Sequence, residues 1–289
     1  MNVLEETKFI LNKYKIQANK SLGQNFLVND NVIDEIIENA NIDSNDLVIE
    51  IGPGLGVLTN RLIQNAYRVI AIELDERMVR IITDRFKLYD NLKIINNDVL
   101  KVDLTSLIEQ EKKEAEDKAI KIGNVKIVAN LPYYISTPII IKLLEQKLNI
   151  NEIIVMVQKE VADRLTAKTG TRLSGAITYM VDYYSLAESI IKVDKTSFIP
   201  SPKVDSEVIK LSIRKEPKVQ VEDEKKFFEL IQRVFSQRRK TLANVLINYN
   251  YIEDKQTAIE TLKNIGLDEN TRGESLSLEK FVEINNCLK

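Results

Sequence analysis

The 289-residue sequence contains no histidine. That absence removes catalytic triads, histidine general bases and histidine-ligated metal centres. Any chemistry must run on carboxylates, amides, lysines, tyrosines or a cofactor, and no metal is expected. One cysteine, Cys287, sits near the C-terminus, which excludes intrachain disulfides and cysteine-rich zinc sites. No apolar run is long enough to span a bilayer, so no membrane partner is expected. The opening residues, MNVLEETKFILNKYKIQ, lack an apolar core followed by a small-residue cleavage site, and the expectation is a cytoplasmic protein. Internal repeats and low-complexity segments are missing as well. What remains is ordinary for a globular chain, 44% hydrophobic and 29% charged. Its length predicts about two domains.

The net charge of −2 conceals an uneven distribution. Residues 7–29 carry Lys8, Lys13, Lys15 and Lys20 and no acid. Residues 195–245 carry twelve Lys or Arg against seven Asp or Glu, and residues 250–289 reverse the sign. A basic region on a near-neutral chain fits a local nucleic-acid footprint, and it fits surface scatter equally well.

Taken in order, residues 3–16 read as a helix with Leu4, Phe9, Ile10 and Tyr14 on one side. The polar stretch Lys20–Leu27 either covers a ligand as a lid or, the preferred reading, is a linker that tucks Phe26 into the core. Asn29-Asp30 caps the next helix. Leu47–Ile51 is a buried strand that runs into Gly52-Pro53-Gly54-Leu55-Gly56 and then a helix. This is the first βα unit of a nucleotide-binding sheet. The spacing misses the dinucleotide fingerprint Gly-x-Gly-x-x-Gly, and the Lys-Ser/Thr of a P-loop is absent. A cofactor bringing a small carboxylate and amine to the turn fits better than a pyrophosphate. The second strand ends in Glu73, about twenty residues past the glycines, where ribose hydroxyls are held. Asp75 reads as a helix N-cap. The third strand ends in Asp98, placed to accept from an adenine amino group. As lone residues these acids are caps and turns; as a series after a Gly-rich turn they outline an adenosine pocket.

Residues 109–121 read as a charged surface segment. Further strands follow at 153–157, 185–193 and 207–214, the last two as an antiparallel edge. The expected fold class is α/β, a Rossmann-like, mostly parallel sheet with an antiparallel edge strand and a small all-α C-terminal domain. The composition shifts at Lys215–Lys218, placing domains at 1–215 and 216–289. In the long helical stretch Glu224–Leu246, Arg238 falls on the apolar stripe, where a charge is costly. A break near Ser236–Gln237 is therefore predicted, turning Gln237–Lys240 outward for phosphate contact.

The stretch KIVANLPYY, residues 126–134, carries the chemistry. A short buried strand hands over to Asn130-Leu131-Pro132-Tyr133, and ligands of open α/β sheets lie outside the carboxyl ends of strands. The Asn130 carboxamide oxygen and a nearby backbone carbonyl can both accept from an exocyclic amine. Pro132 fixes its own φ and restricts Leu131 to extended geometry. Tyr133 offers a flat face on which a base can stack. Alone, the motif also fits an ordinary turn after a strand. Phe198, heading the Pro-stiffened loop 198–206, is either a second stacking wall opposite Tyr133 or a core plug.

These residues together resemble the ribosomal RNA adenine N6-dimethyltransferases. The resemblance runs nearly end to end, through QNFL (24–27), EIGPGLG (50–56), Glu73 and Asp98, NLPY (130–133), FIPSPKVDS (198–206) and FSQRRKTL (235–242). All but the last are shared with the macrolide-resistance enzymes of large-subunit rRNA. FSQRRKTL and RLTAKTGTRLSG (164–175) look like the small-subunit branch. Thr169-Gly170 stands where Pro-Gly is expected, and Ser174 where Tyr is usual. The resemblance implies an S-adenosylmethionine-binding catalytic domain at 1–215 and a helical RNA- and ribosome-binding domain at 216–289. It implies S-adenosylmethionine as donor and S-adenosylhomocysteine as product, in a pocket lined by Asn25, Leu27, Gly52, Glu73, Asp98 and Asn130. Asn130, Leu131, Pro132, Tyr133 and Phe198 would be catalytic, and Arg238, Arg239 and Lys240 would contact RNA. The implied activity is N6,N6-dimethylation of two adjacent adenosines near the 3′ end of 16S rRNA in the immature small subunit, by a monomer. The rivals are a large-subunit rRNA dimethyltransferase, a DNA adenine methyltransferase and a non-catalytic ribosome-assembly factor.

Overall fold

The computed structural model describes residues 2–19 and 22–288. Lys20 and Ser21, which open the polar stretch expected before Leu27, lie outside the described residues. The chain begins α1 (Val3–Lys13), β1 (Phe26–Leu27), α2 (Asp30–Ala40), β2 (Leu47–Ile51), α3 (Val57–Asn65), β3 (Arg68–Glu73), α4 (Glu76–Arg85), β4 (Leu92–Asn96), α5 (Leu104–Glu116) and β5 (Val125–Asn130). It continues α6 (Ser136–Glu145), β6 (Glu152–Gln158), α7 (Lys159–Leu165), α8 (Ala176–Tyr184), β7 (Ser185–Val193), β8 (Phe198–Ile199) and β9 (Ser206–Ile213). Helices α9 (Glu224–Ser236), α10 (Leu242–Asn248), α11 (Lys255–Asn264) and α12 (Leu278–Cys287) finish it.

A seven-stranded sheet has the order β4-β3-β2-β5-β6-β9-β7. Its first five strands are parallel, and β9 runs antiparallel to β6. The central strands β2 and β5 are buried along nearly their whole length, which is why they read as continuous apolar runs. The parallel register puts the carboxyl ends of β2, β3, β4 and β5 at one edge of the sheet. The opposite ends of β2 and β5 are tied by a buried ion pair. The Lys126 ammonium lies 3.1 Å from Asp46 and donates to the carbonyls of Ala40 and Asn41, which close α2.

The chain divides into two compact units. One comprises Met1–Ala162 with Ala187–Ile213, the other Asp163–Leu186 with Arg214–Lys289. In the second, α8 packs against α9 and α12 through Tyr179, whose ring centroid lies 5.2 Å from Phe235 and 5.0 Å from Phe281.

The helical stretch expected over 224–246 is interrupted. Gln237 ends α9, Thr241 begins α10, and Arg238, Arg239 and Lys240 between them are exposed. Two local expectations differ. Phe9 is 57% exposed, because α1 buries Val3, Thr7 and Ile10 instead, a stripe displaced around the helix. Residues 109–121, expected as a charged surface segment, are partly buried. Glu111 of α5 is 3% exposed and held 2.9 Å from Arg68 and 2.7 Å from Lys93.

Candidate active site

The strand ends at that edge of the sheet open on a cavity of about 1130 Å³, its mouth included. β2 supplies its base. The chain leaves Ile51 through Gly52 (φ +68°), Gly54 (φ +56°) and Gly56 (φ +78°) before α3 begins. Left-handed backbone at three alternate positions is what the glycines permit. The glycine N–H groups of this turn are already engaged. Gly52 donates to the Ile72 carbonyl at 2.9 Å, Gly54 to Glu73 at 3.1 Å, and Gly56 to the Pro53 carbonyl at 2.9 Å. Three of the donors a phosphate nest would use are thus spent within the site itself, in keeping with the missing P-loop residues.

Glu73 closes β3. One carboxylate oxygen accepts from Gly54 and the other from the Asp75 N–H at 2.8 Å, and burial pushes its carboxyl above the ordinary range. Each oxygen keeps a lone pair for a ligand hydroxyl. Asp75 caps α4 and is held by Arg77. Asp98 follows β4 and accepts from the Leu100 N–H at 2.9 Å.

Asn130 is the last residue of β5. Its amide nitrogen donates to the Asn25 carbonyl at 3.5 Å, the long limit of a hydrogen bond, which turns Oδ1 away from that carbonyl. The Leu131 N–H donates to the Met156 carbonyl at 3.2 Å, anchoring the peptide after it. Pro132 adopts φ −58° and ψ 127°. The Tyr133 hydroxyl meets the Ser206 hydroxyl of β9 at 2.5 Å, and burial raises its phenol above the ordinary value. That phenol is a hydrogen-bonding group at neutral pH, not a base.

The stretch 22–27 forms one wall, with the Gln24 amide donating to Asp75 at 2.9 Å. It answers to both sequence readings, since Phe26 is buried while the whole stretch faces the cavity. Of the expected site residues, Asn25, Leu27, Gly52, Glu73, Asp98, Asn130, Leu131, Pro132 and Tyr133 all line the cavity. Phe198 does not. It is 3% exposed, pairs with Leu27 across β1 and β8, and belongs to the core, the plug that was the other reading of this residue. Arg238, Arg239 and Lys240 belong to the second unit, where Arg238 pairs with Glu274 at 3.0 Å and donates to the Arg172 carbonyl at 2.9 Å.

Among the lining residues not expected at the site are Tyr134 and Glu50. Tyr134 is half exposed and packs its ring on Gly23. Its signal was faint, a second tyrosine beside a first. Glu50 had a plain signal, an acid inside an otherwise apolar strand. It is 1% exposed, accepts from the Thr59 hydroxyl at 2.6 Å, and is pushed up to about 8 by burial, with the nearby Glu73 charge adding to the rise.

The family model described as ribosomal RNA adenine dimethylase matches residues 15–289. A protein of Bacillus licheniformis named ribosomal RNA small subunit methyltransferase A is 44% identical over 285 residues, 98% of this chain and 95% of that one. A protein of the same name from Alkaliphilus oremlandii is 44% identical over 286 residues, 99% of this chain and 97% of that one. Among solved structures, a dimethyladenosine transferase from Plasmodium falciparum superposes with a TM-score of 0.73 at 27% identity, covering 91% of this chain and 98% of that one. The 23S rRNA methyltransferase ErmE shares the fold, with a TM-score of 0.66 at 23% identity over 91% of this chain and 99% of its own. A seven-stranded sheet with acids at successive strand ends and Asn-Leu-Pro-Tyr beside them, matched along almost its whole length, belongs to the ribosomal RNA adenine dimethylase family.

Proposed function

We propose that this methyltransferase dimethylates N6 of two adjacent adenosines near the 3′ end of small-subunit rRNA, in the immature small subunit, acting as a monomer. The observation that carries the chemistry is the position of Asn130, at the end of β5 on the wall of the cavity that Gly52, Glu73 and Asp98 also line.

The residues fit S-adenosylmethionine. Glu73 and Asp98 are acceptors at neighbouring strand ends, suited to a ribose diol and an adenine amine. The Gly52–Gly56 turn spends its glycine N–H groups internally and suits close approach of a small amino-acid tail better than a pyrophosphate. Asn25, Leu27 and Asn130 close the pocket. When bound, the sulfonium cofactor supplies an activated methyl group and leaves as S-adenosylhomocysteine.

The protein's task is then to present the acceptor. An adenine N6 lone pair is delocalised into the ring. Asn130 Oδ1 and the Leu131 carbonyl accept the two N6 hydrogens, which favours a pyramidal nitrogen with its lone pair exposed. The anchored Leu131 N–H and the constrained Pro132 fix where that carbonyl points. The target base leaves its stack and lies on Tyr133, whose ring is held by Ser206. Phe198 enters only as the strand partner of Leu27. No strong base is required, because the N6 that has taken a methyl group is cationic and strongly acidic and gives its surplus proton to water, and positioning supplies most of the acceleration.

The small-subunit assignment is supported by the name its bacterial relatives carry and by the segments 164–175 and 235–242. Arg238, Arg239 and Lys240, with the helical second unit around them, are the proposed RNA contacts. The test is methyl transfer to small and large ribosomal subunits from unmodified cells, followed by nucleoside analysis. Dimethyladenosine in the small subunit is the expected result. Label confined to the large subunit would support the macrolide-resistance activity instead, and no label would support an assembly factor.

A further inference from the structure

Lys142, on α6, performs an unusual task for a lysine. Its ammonium donates to three backbone carbonyls, Val99 at 3.0 Å, Leu100 at 2.7 Å and Val102 at 2.8 Å. An ammonium has three protons, and all three are used. The same turn is held from its other side by Asp98. The carboxylate accepts from the Leu100 N–H at 2.9 Å, and the Asp98 carbonyl accepts from the Lys101 N–H at 2.8 Å. Within five residues, carbonyls converge on Lys142 and amides face Asp98. Burial pulls the Lys142 ammonium below its ordinary value, while the charges of Asp98 and Asp103 oppose that shift.

Asp98 and Val99 line the cavity. In the turn after β4, Val99 is buried (6% exposed), but β4 itself is the outer strand of the sheet and only partly buried, so packing holds the turn at one point. The three hydrogen bonds from Lys142 of α6 fix the direction of the carbonyls at and after that point. Without the ammonium, three carbonyls would turn to water, and the carboxylate tied to the same turn would lose its aim.

We propose that Lys142 is a positioning residue for the cofactor's adenine, fixing the direction from which the Asp98 carboxylate meets the exocyclic amine. The inference rests on the reading that Asp98 accepts that amine. A purely structural role would weaken all ligands alike, whereas a positioning role weakens only those that carry the amine.

The test is calorimetric binding of S-adenosylhomocysteine and of its analogue lacking the 6-amino group, to wild type, Lys142→Met and Asp98→Ala. Wild type should prefer the amine-bearing ligand by about tenfold or more, the scale of one hydrogen bond to a charged acceptor. Asp98→Ala should abolish the preference, and Lys142→Met should lower it severalfold. A wild-type preference in Lys142→Met, with the preference lost in Asp98→Ala, overturns the role of Lys142 and leaves that of Asp98 intact. An undiminished preference in Asp98→Ala overturns both. Should Lys142→Met not fold, Lys142→Arg asks the same question. A planar fork cannot serve three carbonyls converging on one point, so its preference should also fall, and an unchanged preference again overturns the role.

Discussion

Glu50 interrupts an otherwise apolar strand, and its environment makes it a proton holder. Its carboxyl is raised from an ordinary 4.5 to about 8, chiefly by burial. Across that window the native state binds a proton that the unfolded chain has lost, so the contribution of Glu50 to stability is full below the ordinary value and is lost as pH rises through about 8. Glu50→Gln removes the dependence. Urea denaturation of wild type and variant, without ligand, should show the gap moving in the variant's favour as pH rises from 5.5 to 8.5, by up to about 1.4 kcal/mol per pH unit. A constant gap would mean that Glu50 is ionised in the native state. The acid was visible in the sequence. Its protonation was not, because that depends on how completely the fold buries it and on Glu73 of the next strand, against the opposing hydrogen bond from Thr59. Phe198 has the same lesson in reverse: a phenylalanine heading a proline-stiffened loop reads as a wall or a plug, and only its pairing with Leu27 shows which it is here.

Among the elements, the Gly-rich turn carries the sharpest constraint. A Cβ on Gly56 would lie 2.6 Å from the Phe86 ring, whereas one on Gly52 would find its nearest neighbour, Pro132, at 3.8 Å. Both glycines are left-handed, so alanine costs about 1–2 kcal/mol at either from backbone strain alone. Gly56→Ala should add an overpacking cost of about 1–3 kcal/mol. Chemical denaturation should therefore rank Gly56→Ala clearly below Gly52→Ala in stability; equal losses would contradict this account of the turn. The turn and its strands were legible because buried parallel strands read as apolar runs and glycine punctuates them. The interruption between α9 and α10 was legible from one misplaced charge, Arg238 on the apolar stripe. The buried role of Glu111 was hidden, since its partners Arg68 and Lys93 lie on β3 and β4. So was the clustering of α8 with the C-terminal helices. The composition shift at 215–218 marks where the chain changes character, but it does not tell which earlier segment packs with those helices.

For the whole molecule, a net charge of −2 says little about RNA, and the local distribution says more. Arg239 and Lys240 are exposed in the interruption between α9 and α10, while Arg238 is partly spent on Glu274. Removing both exposed cations should weaken binding to small-subunit RNA and flatten its salt dependence, by up to about one unit of slope for each phosphate no longer neutralised. Binding titrations at several salt concentrations would show this, and an unchanged slope would remove these residues from the interface. Cofactor affinity should stay as in wild type. The account as a whole turns on one carboxamide beside the cofactor cavity. Asn130→Ala, assayed for methyl transfer to unmodified small subunits and, in parallel, for S-adenosylmethionine binding, tests it most directly. The account predicts a loss of transfer of at least about a hundredfold, the scale of removing one positioned group at a reacting centre, with cofactor still bound. Transfer at the wild-type rate would contradict it.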